Sequence, residues 1–201
     1  MSRTEEQNQH IRKKRKEKIQ IEALKQFAAK GLFATRIMDI AEGAGMTQGL
    51  LYHYYPSKDA IFIDLINDAL DKTNEASKHV RDMNASAKEK ILFSLCELFK
   101  TIETSERFRQ TCRLIAQAVN TTAIPLEAQN LIKEKMDIPY RIIEEVMEQG
   151  QREGSIVDGD PYELAILFWT SVNGLAIYRA TRENPGIMPN YKLLAAMFLK
   201  D

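Results

Sequence analysis

Along most of this chain, apolar residues recur at steps of three and four, and nowhere do they alternate with polar ones over a strand's length. That spacing gathers them on one face of a helix, so the pattern predicts an all-α protein of about nine helices. The first is expected from near Glu5 or Gln9 to Lys30, with Ile19, Ala23, Leu24 and Phe27 as its inner stripe and Gly31 as a left-handed cap. Thr35 is placed to N-cap a second helix, whose inner face is Ile37, Ile40 and Ala41. Gly45 suits the positive φ of a tight turn. Thr47 then caps a short third helix over residues 48–55, which Pro56 stops, and Ser57 caps a fourth over 58–81.

The rest of the chain reads the same way with longer elements. Ser86 and Glu89 have the spacing of a capping box ahead of a helix over 87–103. Ser105 caps another, to about residue 120. Residues 126–152 read as one long helix that Pro139 must kink or split. Asp160 and Pro161 fit the N-cap and first position of a helix to about residue 181, apolar on most of its faces. A last helix is expected over 191–200. The organisation that follows is a three-helix amino-terminal domain, residues 1–60, and a larger helical domain, residues 61–201, with the fourth helix belonging partly to both.

Charge sharpens this division. The whole chain of 201 residues is neutral, with 28 basic and 28 acidic side chains. Residues 1–58, Arg3 and Arg36 among them, hold eleven Lys and Arg against six Asp and Glu, so the remainder carries the balancing acidic surplus. A basic end on an acidic body suits a polyanionic partner, and a solvated basic helix face fits equally well. No apolar run is long enough to span a bilayer and the amino terminus is polar, so a cytoplasmic protein without membrane contact is expected. Cys96 and Cys112 have no metal-ligand spacing and read as free, buried thiols. The three histidines, His10, His53 and His79, have no catalytic or metal-binding spacing, and no phosphate-binding glycine loop is present. Neither an enzyme nor a bound metal or cofactor is therefore expected.

The segment 35–55 is the one that points to a function. Two short helices joined by a glycine-containing turn form a helix-turn-helix pattern. Ile40, Ala41, Met46 and Leu51 fill the space between them and leave Thr47, Gln48, Gly49, Tyr52 and His53 facing outward. Such a second helix reads the major groove with its amino-terminal residues. An αα-corner in an ordinary bundle, or a helical protein-interaction module, fits the same spacing.

From Ile19 to Ile61 the chain closely resembles the DNA-binding domain of the TetR family of bacterial transcriptional regulators. The resemblance rests on Ile19, Ala23, Phe27, Gly31, Thr35, the run Asp39-Ile40-Ala41, and the pair Ala44-Gly45. It continues through Gly49, Leu51-Tyr52, Tyr55 and Ser57-Lys58. Two departures are Arg36, where the family usually has a second Thr, and Tyr54-Tyr55, where it usually has His-Phe. The resemblance implies that Thr35 and Thr47 meet phosphates at helix starts, where anions are favoured. It implies that Gln48 reads a base edge and that Gly49 lets the backbone approach. Tyr52, His53 and Lys58 would add phosphate or groove contacts, Arg36 could add another, and the run from Arg12 to Lys18 could clamp flanking phosphates.

The same resemblance implies a homodimer formed through residues 161–181 and 190–200 as a four-helix bundle, matched to a palindromic operator in double-stranded DNA. It also implies a repressor that a small effector releases. The effector pocket is expected among Phe93, Cys96, Phe108, Cys112, Arg113, Met136, Tyr140, Ile143, Trp169 and Asn173, which together suit a mainly hydrophobic molecule.

Overall fold

The computed structural model describes residues 5–200; Arg3 and the outer ends of the two expected domains lie outside them. The described residues form ten α-helices: α1 (Glu5–Ala34), α2 (Ile37–Gly43), α3 (Gln48–Tyr52), α4 (Lys58–Asp82), α5 (Ala87–Thr104), α6 (Glu106–Val119), α7 (Leu126–Lys135), α8 (Ile138–Arg152), α9 (Pro161–Ala180) and α10 (Tyr191–Ala195). The expected long helix over 126–152 is split into α7 and α8. Pro139 falls at the start of α8, where its missing N–H costs nothing.

Most helix starts follow the capping residues. Thr47 Oγ1 accepts from Leu50 N–H, Ser57 Oγ from Ala60 N–H and Asp160 from the amides of Tyr162 and Glu163. Ser86 and Glu89 form the capping box. Each such cap is worth about 1 kcal/mol. Two local expectations are corrected. Gly31 has φ 80 and ψ 167, which is positive but not left-handed helical, and the chain resumes helical geometry as far as Ala34. Thr35 does not cap α2: Arg36 holds that position with no side-chain cap, while the Thr35 hydroxyl is buried and donates to Gly31 C=O at 2.8 Å.

Two apolar clusters hold the fold. The first joins α1 (Ile19, Ala23, Leu24, Phe27), α2 (Ile40, Ala41), α3 (Leu51) and the first half of α4 (Ile61, Phe62, Leu65, Ile66). It continues into Leu114 and Ala118 of α6 and Ala128 of α7. Packing therefore does not break at residue 60: the amino-terminal helices rest on the body through α6. The second cluster joins α5, α8, α9 and α10, with the Phe168 ring edge-on to Trp169 and tilted against Phe198.

The carboxyl-terminal segment differs from its expected helix over 191–200. α10 ends at Ala195, and the chain turns into an extended stretch. There Val157 N–H donates to Phe198 C=O at 2.9 Å and Lys200 N–H to Ser155 C=O at 3.0 Å, an antiparallel bridge between Ile156 and Leu199. Phe198 is thereby fully buried against Phe168. Burial of that ring, worth about 1.5–3 kcal/mol, outweighs another helical turn.

Candidate nucleic-acid interface

α3 is held from beneath by a single apolar anchor. Leu51 is completely buried in the first cluster, Met46 packs beside it, and Gly45 makes the turn at φ 69. The turn is fastened to the end of α2, since Met46 N–H donates to Ala41 C=O at 2.9 Å. With Leu51 inside, helical periodicity turns Thr47, Gln48, Gly49, Tyr52 and His53 to solvent, and all five are exposed. The Gln48 amide lies 3.4 Å from the Tyr52 hydroxyl one turn on.

α3 is shorter than expected and ends at Tyr52. His53 and Tyr54 form tighter turns, donating from their amides to Leu50 and Leu51 C=O. This turns Tyr55 inward. Its ring is buried, and its hydroxyl donates to the Asp64 carboxylate of α4. Asp64 also accepts from Gln20 at 2.9 Å and pairs with Lys16 at 3.1 Å, while Lys16 lies over the Tyr55 ring. Burial pushes the Asp64 carboxyl up, but the bonds from Tyr55, Lys16 and Gln20 outweigh it and hold it below the usual value. Burial and the facing carboxylate push the Tyr55 phenol up, so it stays a donor. Tyr54 lies half-buried, 3.4 Å from Arg15.

The other expected DNA contacts divide. Arg36 is exposed beside α3. Thr35 is turned inward, as described. Lys58 is half-buried, and its ammonium donates to Thr35 C=O at 2.8 Å and Phe33 C=O at 3.4 Å. It ties the start of α4 to the α1–α2 connection. Phe33, Ile37, Pro56 and Ser57 line the same shallow concavity as Arg36 and Tyr52; sequence reasoning gave Ile37, Pro56 and Ser57 structural roles only and did not single out Phe33. Phe33 is 69% exposed, which is unusual for a phenylalanine with no partner over it. Its signal was a large apolar residue falling outside the α1 stripe.

Of the expected effector contacts, the structure gathers some and separates others. Ile143 and Trp169 are buried in the second cluster, and Phe108, Cys112 and Tyr140 pack against it. Tyr140 and Trp169 rings lie 6.1 Å apart, burial pushes the Tyr140 phenol up, and the neighbouring Asn173 amide opposes that shift. Burial pushes the Cys112 thiol up to about 12. Cys96 is half-buried. Met136 packs against the first cluster instead. Phe93 is 41% exposed, because the buried positions of α5 (Ile91, Leu95, Phe99) leave it on the outer face. Arg113 is half-buried, with no hydrogen bond or ion pair among the described residues.

A helix-turn-helix with an exposed second helix, seated on a helical body, defines a DNA-reading regulator by class. Residues 22–65 match the family model described as bacterial regulatory proteins, tetR family. Over 155 residues the chain is 28% identical to the HTH-type transcriptional repressor KstR2 of Mycolicibacterium smegmatis, covering 73% of this chain and 72% of that one. The chain is thus similar to TetR-family transcriptional regulators, most specifically over its helix-turn-helix segment. The fold agrees. The ketosteroid transcriptional regulator KstR2 of Mycobacterium tuberculosis superposes with a TM-score of 0.72 at 21% identity, over 93% of this chain and 96% of that one. AibR, solved with isovaleryl coenzyme A and operator DNA, gives 0.68 at 20% identity, over 90% and 94%. Among the described residues no helix is long and apolar enough to cross a membrane.

Proposed function

We propose that this protein is a cytoplasmic homodimeric repressor that grips a palindromic operator with two copies of α3 and releases it on binding a small, mainly hydrophobic effector. One observation carries the DNA reading: Leu51 is the sole fully buried side chain of α3, so Thr47, Gln48, Gly49, Tyr52 and His53 are all free for the groove. Gly49 supports it further. A Cβ at that position would meet nothing within 4 Å, so the fold does not require a glycine there. A helical glycine costs about 0.5–1 kcal/mol against alanine, a cost that close approach of a DNA backbone explains. Lys58 and Thr35 act indirectly in this reading, fixing the concavity beside α3.

Dimerisation is supported by the apolar side chains left bare on α9 and α10. Ile166, Leu167 and Tyr178 face outward from α9, and Leu193 is 72% exposed on α10. Large apolar side chains left bare on a surface are what an interface would cover. Because α10 has only five residues, α9 supplies most of the surface. The effector reading rests on Phe108, Cys112, Tyr140 and Asn173, an apolar wall with one polar pair beside the second cluster.

The test is selection of duplexes from a random pool, followed by gel retardation across a salt series. A palindromic sequence should be enriched, and affinity should fall steeply with salt as counterions are released. Absence of sequence-selective retardation at low salt would sink the proposal.

A further inference from the structure

One cluster of polar contacts, between α4 and α7, is used by nothing described so far. Lys135, the last residue of α7, reaches across to α4. Its ammonium donates to Asp71 Oδ1 at 2.6 Å and to Asn67 Oδ1 at 2.8 Å, and its side chain is mostly buried. Asn67 in turn donates to Asp71 Oδ2 at 3.0 Å. One turn further along α4, Asn74 donates to the Lys135 carbonyl at 3.3 Å. Three turns of α4 are therefore fastened to one residue at the point where the chain breaks between α7 and α8.

We propose that Lys135 is a positioning residue for DNA binding, which latches α4, and with it the helix-turn-helix, to the α7–α8 break. The inference rests on the DNA-reading function proposed above.

Both ends of the linkage are anchored. Toward DNA, α4 holds α3 through Asp64 and Tyr55 and holds the α1–α2 connection through Lys58. Toward the body, the break is pinned by Trp169, whose Nε1 donates to Pro139 C=O at 3.0 Å, with Tyr140 next in line against the Trp169 ring. A displacement at Tyr140 or Trp169 reaches Lys135 through four residues of chain, and Lys135 grips α4 directly. The contacts form one contiguous physical network.

A second feature suits a latch rather than a permanent rivet. Asn74 is 5% exposed, yet its Oδ1 has no hydrogen-bond partner. A buried acceptor left unpaired is costly, and a shift of α4 that admits water would relieve it. The seated position of α4 is thus opposed by Asn74 Oδ1 and secured by Lys135. Removing the ammonium should favour the displaced position.

The test uses the full chain. Lys135→Met keeps the length and apolar stem of the side chain but removes its charge, Lys135→Arg keeps the charge, and Asp71→Asn weakens the partner. Amide exchange without DNA should rise about tenfold across α4 residues 67–74 in Lys135→Met, with α9 unaffected. With the selected duplex, affinity for the complete palindrome should fall about tenfold, while affinity for an isolated half-site stays within about twofold. Loss of orientation produces that split, and simple loss of stability does not. Lys135→Arg should restore both readings. Asp71→Asn should reproduce the loss in part and add little to Lys135→Met; it serves alone if Lys135→Met does not fold. Unchanged exchange, or equal losses on palindrome and half-site, would overturn the latch. A wild-type chain that binds no duplex would overturn the DNA reading and with it the positioning role, and exchange would still report whether Lys135 fastens α4.

Discussion

The Tyr55 hydroxyl, three residues past the end of α3, donates to the Asp64 carboxylate in the second turn of α4. This bond ties the DNA-reading helix to the helix that runs into the body. Because the Tyr55 ring is also buried in the first cluster, Tyr55→Phe keeps the packing and removes the bond. The Asp64 side chain is about a third exposed, so the expected loss is modest, about 1 kcal/mol.

The same pair sets a dependence on pH. Despite its partial burial, Asp64 is held below its ordinary value by Tyr55, Lys16 and Gln20. A carboxyl lowered by folding stabilises the native state above its unfolded pKa, near 3.8, and that contribution is lost as pH falls through the lower folded value. Urea midpoints measured from neutral pH down into this window should fall less steeply for Tyr55→Phe than for the wild type. Identical slopes would show that the bond does not hold Asp64 ionised.

Gly49→Ala separates fold from function. No atom lies near the added methyl, so the variant should be more stable by about 0.5–1 kcal/mol. Its affinity for the selected duplex should fall at least about tenfold, because the methyl lies where the DNA backbone is to approach. A variant that is both more stable and equally tight on DNA would remove Gly49 from the interface.

The bare apolar residues of α9 and α10 give a third expectation. Leu167→Glu and Leu193→Glu place charges on an exposed face, so the isolated fold should tolerate them with changes within about 0.5 kcal/mol. Sedimentation should show dimers becoming monomers, and retardation of the palindrome should weaken with half-site binding retained. A dimer that survives both substitutions would move the interface elsewhere.

The thiols give a fourth. Burial pushes Cys112 to about 12, so at neutral pH almost none of it is the reactive thiolate. Alkylation of the folded protein should spare Cys112 and modify it only on unfolding. Rapid labelling of native Cys112 would open a redox role.

Sequence alone determined a good deal here, because local signals decide local structure. The apolar period fixed the all-α class, and Thr47, Ser57, Ser86, Ser105 and Asp160 each cap the helix they precede. The outward set on α3 followed from Leu51 alone, since one buried residue sets the rotation of a five-residue helix. The inner stripe of α1 was legible for the same reason.

Tertiary structure decided what depends on distant partners. Thr35 looked like a cap, yet its hydroxyl was taken by Gly31 C=O, and Lys58 turned from solvent to the carbonyls beside it. Met136 and Phe93 left the expected effector wall because the packing of α7 and α5 rotated them away. The end of the chain gave up helix for a bridge to residues 155–157, since burying Phe198 outweighed local hydrogen bonds. Lys135 shows the limit most plainly. In the sequence it is one lysine in a charged helix, and its partners Asn67, Asp71 and Asn74 lie more than sixty residues away. Helical periodicity reports which face is wet, while contacts between helices are set by how whole faces pack.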